Sequence, residues 1–197
     1  MAQDSSLPDF WDTRYRGNIM PWDQGAVPSR LTAYVELRDD RPRTLIPGCG
    51  TGYEARYLAE RGWPVIAIDF SAAAIDAARP ELGPYAHIAM QADFFAFEGD
   101  SRSFDLVYER AFLCALPPKT WDAYAARIAQ LVAPRGVIAG FFVIGDTGRG
   151  PPFSIARPAL DALLSPHFEC VADEPVSESL AVFQGRERWM EWRRLSC

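Results

Sequence analysis

The chain lacks several features that define whole classes of protein. Its longest apolar run covers residues 137–144 (VIAGFFVI), far short of the ~20 residues that a membrane-spanning helix needs. Its N-terminus, MAQDSSLPDF, carries acids where a secretory signal peptide has Lys or Arg, and no apolar stretch follows. These absences predict a protein that neither enters a membrane nor is secreted, and we expect it in the cytoplasm.

Cysteine, histidine and net positive charge are also scarce. The four cysteines, Cys49, Cys114, Cys170 and Cys197, show no CxxC pair or other metal-like spacing, so we expect reduced thiols and no bound metal. Neither of the two histidines lies near a motif that would make it a general base. The net charge of −6 argues against a nucleic-acid partner, because phosphate binding needs a basic face.

What is present is typical of one compact soluble domain. The 197 residues are 49% hydrophobic and 23% charged, which allows a single core of good size. From residue 43 onward, short apolar runs alternate with helical patterns, the signature of a sheet with helices on both faces. We predict an α/β fold with a doubly wound, mostly parallel, seven-stranded sheet and an antiparallel edge. Residues 41–197 form this core, and residues 1–40 form an additional N-terminal segment.

The boundaries of the elements follow from periodicity, caps and breakers. We predict strands at residues 44–46, 64–68, 88–91, 104–108, 136–144, 168–172 and 179–183, the last two as a closing hairpin. We predict helices at residues 8–16, 29–37, 53–61, 119–131 and 157–164. A further helix begins after Ser71, as N-cap, and stops before Pro80.

The segment with the most chemical information runs from residue 45 to residue 71, LIPGCGTGYEARYLAERGWPVIAIDFS. The first strand leads into Gly48, Gly50 and Gly52, and a helix follows. Glycines let a backbone pass close to a ligand, and a helix N-terminus offers unpaired N–H groups. Asp69 ends the second strand, where a carboxylate can accept hydrogen bonds from both hydroxyls of a ribose.

Two nucleotide cofactors use this layout. Dinucleotides favour the spacing GxGxxG, in which a third glycine lets the helix pack near the pyrophosphate. Here Tyr53 follows Gly52, so the spacing is GxGxG, which is typical of S-adenosylmethionine-dependent methyltransferases. Taken alone, the glycines also fit a tight strand-to-helix turn that binds nothing.

Two further strand ends carry acids. Asp93 and Phe94 close the third strand, where a carboxylate can accept from an adenine amino group and a ring can pack on the base. Glu109 and Arg110 follow the fourth strand, at the edge where open α/β sheets bind ligands. Taken alone, Asp93 could equally be an acid in an ordinary turn. Glu109 could equally be a solvated charge at the end of a strand. Three acids at three successive strand ends favour cofactor binding.

The sequence resembles the thiopurine S-methyltransferase superfamily and, within it, the branch of plant and microbial halide/thiol methyltransferases. The resemblance covers nearly the whole chain. It rests on FWDTRYRGNIMPWDQG, PGCGTGYE, AIDFS, YERAFLCALPPKTWDAYA, GPPF and GRERWMEW. The first and last of these segments are the most specific, because every methyltransferase of this fold has a glycine loop.

This resemblance implies that the N-terminal segment, residues 1–40, is a lid over S-adenosylmethionine. Trp11, Tyr15 and Trp22 match the lid aromatics of the family, and ring faces stabilise a sulfonium cation. Trp11 and Tyr15, four residues apart, could equally dock their helix on the core. The implied cofactor-binding residues are Trp11, Tyr15, Trp22, Gly48, Cys49, Gly50, Gly52, Asp69, Phe70, Ser71, Asp93, Phe94, Glu109 and Arg110.

Two departures from the family pattern bear on the methyl acceptor. Trp121 stands where the vertebrate thiopurine enzymes place an arginine, and Phe142 where halide/thiol enzymes have a tyrosine. Both changes make the pocket more apolar, so we expect a small soft nucleophile such as a thiol, hydrosulfide, or a selenium or tellurium species. A carboxylated thiopurine-like substrate and efficient halide use are disfavoured. The implied pocket residues are Trp22, Phe112, Trp121, Phe142 and Phe153.

The expected reaction is direct in-line displacement by a monomeric enzyme. A thiol near neutral pH has a useful thiolate fraction and needs no strong base, so no catalytic residue is certain. Asp23 and Gln24 are candidates for orienting the lid or the nucleophile. One alternative is an O- or N-methyltransferase that uses Glu109 or Asp23 as base. Others are a non-catalytic S-adenosylmethionine sensor and, more remotely, an NAD-binding module.

The C-terminal stretch GRERWMEW mixes arginines with Trp189 and Trp192. A basic-aromatic patch can bind nucleic acid. Because Glu187 and Glu191 lie within it and the whole chain is acidic, we predict surface ion pairs instead.

Overall fold

The computed structural model describes residues 4–99, 103–146 and 149–196. They fall into two compact units, Met1–Phe97 and Glu98–Cys197. The predicted single domain therefore stays a prediction. Cys197, one of the four expected thiols, lies outside the described residues, whereas Cys49, Cys114 and Cys170 are free.

The first unit contains three parallel strands with β2 in the middle. These strands are β1 (Thr44–Pro47), β2 (Val65–Asp69) and β3 (Ala89–Gln91). Its helices are α1 (Pro8–Arg16), α2 (Ser29–Glu36), α3 (Tyr53–Glu60) and α4 (Ala72–Leu82). All of β1 and most of β2 are buried, as expected for parallel strands that are covered on both faces.

The turn between β1 and α3 requires glycine. Gly48, Gly50 and Gly52 have φ angles of +62°, +54° and +83°, in the left-handed region that other residues seldom adopt. At Gly52 a Cβ would also lie 3.3 Å from the Leu82 side chain of α4. The GxGxG spacing thus sets a backbone shape that side chains would prevent.

Helix α4 begins as predicted and ends later than predicted. The Ser71 hydroxyl accepts a hydrogen bond of 3.1 Å from the Ala74 N–H, which confirms it as the N-cap. The predicted stop before Pro80 is wrong, because the helix runs through Pro80 to Leu82. A proline this close to the end removes only one helical hydrogen bond. The fully buried Leu82 holds the last turn in place.

The second unit contains four strands in the order β4-β5-β7-β6. These strands are β4 (Phe104–Arg110), β5 (Val132–Val143), β6 (Phe168–Pro175) and β7 (Glu187–Arg194). Its helices are α5 (Trp121–Leu131) and α6 (Arg157–Leu164). Strands β4 and β5 are parallel, and β7 runs antiparallel to both β5 and β6.

The predicted last strand at residues 179–183 is wrong. A short 3-10 turn occupies Ala181–Phe183, and the strand is β7. Strand β7 pairs with β5 on one side and with β6 on the other, and Trp189 and Trp192 are buried, with 0% and 2% of their surface exposed. The expected surface patch is therefore part of the core.

The parallel strands of the first unit, and the parallel β4–β5 pair with the antiparallel β7 in the second unit, confirm the predicted α/β fold class. In the part of the chain that the structure describes, no helix is long and apolar enough to cross a membrane.

Candidate cofactor site

Asp69 at the end of β2 lies against the glycine turn. Its Oδ2 accepts from the Gly50 N–H at 3.2 Å, and its Oδ1 accepts from the Ser71 N–H at 2.9 Å. Burial raises the pKa of Asp69 to about 6, although these N–H groups oppose the rise. The carboxylate is therefore charged at neutral pH. A carboxylate has about four acceptor positions, so it can still accept from a ligand.

The aromatic side chains of the lid segment meet beside the same turn. The ring centroids of Trp11 and Trp22 are 5.3 Å apart, and those of Tyr15 and Trp22 are 6.1 Å apart, both edge to face. A Cβ on Gly50 would lie only 2.7 Å from the Tyr15 hydroxyl. Burial, followed by the charge of Asp69, raises the pKa of Tyr15 well above its usual range. Tyr15 therefore stays a neutral phenol beside the turn.

Asp23 attaches the lid loop to the glycine turn. Its Oδ2 accepts a hydrogen bond of 2.9 Å from the Thr51 hydroxyl, and its Oδ1 accepts one of 2.7 Å from the Gly25 N–H. Gln24, the second candidate from the sequence, is exposed. The geometry gives Asp23 a role in holding the loop.

Asp12 on α1 is a site residue that sequence reasoning missed. Its Oδ1 accepts from the Ser71 hydroxyl at 2.6 Å and from the Ala73 N–H at 3.1 Å. Asp12 as a whole residue is 8% exposed, and its Oδ2 pairs with Arg16 at 2.8 Å. Asp12 lies in the quoted motif FWDTRY, but its partner Ser71 is 59 positions away, and no local pattern reports such a contact.

The remaining predicted residues of the first unit have varied surroundings. Asp93 is exposed, and its Oδ1 accepts from the Phe95 N–H at 2.9 Å. Phe94 is buried and packs edge to face on the Phe95 ring. The Phe70 carbonyl accepts from a Gln91 side chain. Cys49 is buried, and burial raises the pKa of its thiol, so it stays protonated.

In the second unit Glu109 is occupied by internal hydrogen bonds. Its Oε1 accepts from the N–H groups of Phe112 and Leu113 at 2.8 and 2.9 Å, and its Oε2 accepts from the Tyr124 hydroxyl at 3.0 Å. Burial raises the pKa of Glu109 to about 7, against the opposing effect of these bonds. They also hold a turn in which Ala111 has a φ of +59°, which is costly for a residue with a side chain.

Arg110 forms a buried ion pair with Glu187 on β7. Its guanidinium also lies 4.4 Å from the centroid of the Phe141 ring. The second oxygen of Glu187 accepts from the Leu180 N–H at 3.2 Å. These contacts fix Arg110 within its own unit, so its predicted role in cofactor binding stays a prediction.

Two of the predicted pocket residues lie close to the Glu109 turn. The Phe112 ring packs against Tyr124 with centroids 6.2 Å apart. The Trp121 indole N–H donates to the Leu116 carbonyl at 3.1 Å. Both rings therefore have defined orientations.

Two more of the five predicted pocket residues, Phe142 and Phe153, also lie in the second unit. Phe142, in β5, is 1% exposed. Phe153 is half-buried, and its N–H donates to the Cys114 carbonyl at 2.7 Å. The acceptor-binding role of these aromatics stays a prediction.

Comparison with known proteins gives the family. The model of the thiopurine S-methyltransferase family matches residues 6–194, almost the whole chain.

The chain belongs to the thiopurine S-methyltransferase family.

Among curated relatives, a probable thiol methyltransferase 2 of Arabidopsis thaliana is 27% identical over 100% of this chain and 88% of its own length. A thiocyanate methyltransferase 1 of Brassica oleracea is 29% identical over 94% of this chain and 85% of its own length. Among solved structures, the magnesium protoporphyrin IX methyltransferase of Synechocystis PCC 6803 with bound S-adenosylmethionine has a TM-score of 0.75. It covers 98% of both chains at 17% identity and shows the shared fold.

Membership of the thiopurine S-methyltransferase family makes the chain an S-adenosylmethionine-dependent methyltransferase. The residues of the first unit fit that cofactor. A turn built from three left-handed glycines lets a ligand approach the backbone without meeting Cβ atoms. A charged, buried carboxylate lies beside it, the Tyr15 hydroxyl lies next to Gly50, and the Trp22 ring, suited to a cation, packs on Tyr15. Among the residues that the structure describes, no group of three or more His, Cys, Asp or Glu could hold a metal ion.

Proposed function

We propose that this thiopurine S-methyltransferase family member methylates a small, soft nucleophile, chiefly a thiol or hydrosulfide. The observation that supports cofactor binding is the position of Tyr15, which lies beside Gly50 and packs on Trp22, while the buried Asp69 accepts from the Gly50 N–H. When bound, S-adenosylmethionine supplies a methyl group made electrophilic by a positively charged sulfur.

The residues of the chain contribute binding, alignment and exclusion of water. Asp69 would accept hydrogen bonds from the ribose hydroxyls with its remaining lone pairs, and the rings of Tyr15 and Trp22 would stabilise the cation. The Asp23–Thr51 contact keeps the lid loop on the glycine turn. A site that excludes water and holds the two reactants in line lowers the activation barrier, because it gives them a high effective molarity. Methyl transfer to a thiolate needs no proton transfer by the protein.

The hydrogen bonds of Glu109 and Asp23 support a soft nucleophile as the methyl acceptor. An alcohol acceptor needs a base, and the two acids proposed for that role serve structural contacts. Glu109 is 1% exposed and accepts three internal hydrogen bonds, and Asp23 holds the loop by accepting from Thr51 and Gly25. A thiol supplies its own thiolate near neutral pH, so this arrangement suits sulfur better than oxygen.

The curated relatives that act on thiols and thiocyanate point to the same class of acceptor. The apolar side chains Phe112 and Trp121 favour polarisable over carboxylated substrates. We further propose that the protein works as a cytoplasmic monomer on small molecules. The net charge of −6 supports a small-molecule acceptor in preference to nucleic acid.

A panel of acceptors tests this function. The protein is incubated with S-adenosylmethionine and hydrosulfide, small thiols, a thiopurine, iodide, selenite or tellurite. Release of S-adenosylhomocysteine and volatile methylated products is then measured. We expect hydrosulfide and small thiols to react fastest and Asp69→Ala to be inactive. Tight cofactor binding without turnover on any acceptor would refute the proposal and favour a cofactor sensor.

A further inference from the structure

The lid helix α1 is joined to the start of α4 by one buried carboxylate. Asp12 is 8% exposed, and its Oδ1 accepts two hydrogen bonds from the N-terminal end of α4. The shorter of these, 2.6 Å, comes from the Ser71 hydroxyl. Hydrogen bonds to a charged acceptor are stronger than neutral ones, so this contact is well suited to fix the position of the lid.

Ser71 also contacts the acid that we assign to the ribose. Its N–H donates to Asp69 Oδ1 at 2.9 Å, while Asp69 Oδ2 accepts from the Gly50 N–H at 3.2 Å. A continuous series of hydrogen bonds therefore runs from Asp12 through Ser71 and Asp69 to the glycine turn. Ser71 is 0% exposed, so water does not compete for these bonds.

Placing two carboxylates around one serine costs electrostatic free energy. Asp12 and Asp69 are both buried and both accept a hydrogen bond from Ser71, so their negative charges repel each other. The charge of Asp12 contributes to the raised pKa of Asp69. Arg16, four residues along α1, offsets part of the repulsion through its 2.8 Å contact with Asp12 Oδ2. A neutral side chain at position 12 would avoid the repulsion and would also lose the attachment.

A second acid holds the other end of the lid segment. Asp23 accepts from the Thr51 hydroxyl at 2.9 Å, and Thr51 lies between Gly50 and Gly52. Both attachments thus end on residues adjacent to the proposed cofactor-binding groups. Tyr15 and Trp22 lie between the two attachments in the sequence.

We propose that Asp12 is a positioning residue for cofactor binding, which fastens the lid helix to Ser71 and thereby holds Asp69 and the lid rings in place for S-adenosylmethionine. The inference rests on the proposed function, since it takes Asp69 as a cofactor-binding acid. Asp12 acts through Ser71 and needs no contact of its own with the cofactor.

Calorimetric titration of the full chain with S-adenosylhomocysteine tests the inference without any methyl acceptor. We expect Asp12→Ala to weaken binding by about tenfold, because it removes two hydrogen bonds to a charged group. Asp12→Asn keeps an acceptor oxygen and should weaken binding by about threefold. Asp9→Ala is the matched control, since it removes an exposed acid from the same helix and should leave affinity unchanged.

Two further measurements separate positioning from simple loss of stability. In kinetics, Asp12→Ala should raise KM for S-adenosylmethionine about tenfold and leave KM for the acceptor unchanged. In a double-mutant cycle, Asp12→Ala and Ser71→Ala should be non-additive in cofactor affinity. Equal cofactor affinity of wild type and Asp12→Ala would overturn this inference and leave the proposed function unaffected. Additive effects of Asp12→Ala and Ser71→Ala on cofactor affinity would do the same. A wild-type chain that bound no S-adenosylhomocysteine would overturn the proposed function and this inference with it.

Discussion

The hydroxyl of Thr51 donates a hydrogen bond of 2.9 Å to the carboxylate of Asp23. This contact joins the lid loop to the glycine turn across 28 positions of sequence. The loop sequence MPWDQGAVP has neither helical nor strand periodicity, and the contact explains why it nevertheless has a defined position. Asp23 fixes the loop, and Trp22 is thereby kept beside Tyr15.

Removing the Thr51 hydroxyl should loosen the lid. Thr51→Val keeps the shape of the side chain and loses the donor. We expect the Kd for S-adenosylhomocysteine to rise about five- to tenfold, which corresponds to roughly 1–1.4 kcal/mol for one partly exposed hydrogen bond to a charged group. Thr51→Ser keeps the hydroxyl and serves as control. Equal affinities for the Val and Ser variants, by calorimetry, would contradict a role for this contact.

Cofactor affinity should depend on pH through Asp69. Burial raises the pKa of this carboxyl to about 6, and only the ionised form accepts hydrogen bonds with both oxygens. We therefore expect the affinity for S-adenosylhomocysteine to fall as the pH is lowered through about 6. Asp69→Asn should bind at least tenfold more weakly and show no such dependence between pH 5 and 7. A pH-dependent loss of affinity that persisted in Asp69→Asn would show that another group is responsible.

Glu109 should make the protein less stable as pH rises. Its pKa is raised by burial from 4.5 to about 7, so the folded chain binds this proton more tightly than the unfolded chain does. The free energy of unfolding should then fall between about pH 4.5 and 7, by roughly 3 kcal/mol in total.

Glu109→Gln isolates this effect. Glutamine keeps an acceptor for the N–H groups of Phe112 and Leu113, and its amide can donate to Tyr124. Urea unfolding should therefore show a flatter dependence on pH for the variant than for the wild type. Glu109→Ala should be less stable at every pH, because it leaves these donors unsatisfied. Parallel pH curves for wild type and Glu109→Gln would contradict the assignment.

Strand β5 should not tolerate a side chain at Gly140. This residue lies opposite Glu109 in the β4–β5 register, and a Cβ would overlap the Glu109 carbonyl oxygen. We expect Gly140→Ala to cost about 4 kcal/mol or more in unfolding free energy, because backbone must move. Gly25→Ala is the comparison: its φ is +67° with no atom within 4 Å of the new Cβ, so only about 1–2 kcal/mol is expected. Similar losses for both would show that β5 can shift.

Local patterns predicted the elements whose signals are local. The GxGxG spacing predicted the turn before α3, Ser71 predicted the start of α4, and the bounds of α6 match those read from periodicity. Strand β7 was missed because charged residues surround Trp189 and Trp192, which is typical of a surface segment. Both rings are buried, and the ion pair of Arg110 with Glu187 accommodates a buried charge.

The site was predicted less completely, because its contacts connect distant parts of the chain. The sequence indicated that Asp69 and the glycines act together, since strand ends and helix starts meet in this fold. It gave no sign that Asp12 contacts Ser71, or that Tyr124 donates to Glu109. Aspartate in a helix and tyrosine in a helix have many ordinary roles, and only the tertiary structure selects one.

The most direct test of the central claim compares acceptors that differ only in the attacking atom. Benzenethiol, phenol and aniline are each incubated with the protein and S-adenosylmethionine, and the initial rate of S-adenosylhomocysteine release is measured at neutral pH. The account predicts methylation of benzenethiol at least about a hundredfold faster than either other acceptor, because the thiol ionises near neutral pH, whereas phenol needs a base and the neutral nitrogen of aniline is a weaker nucleophile than a thiolate. Methylation of phenol or aniline at a comparable or higher rate would contradict it.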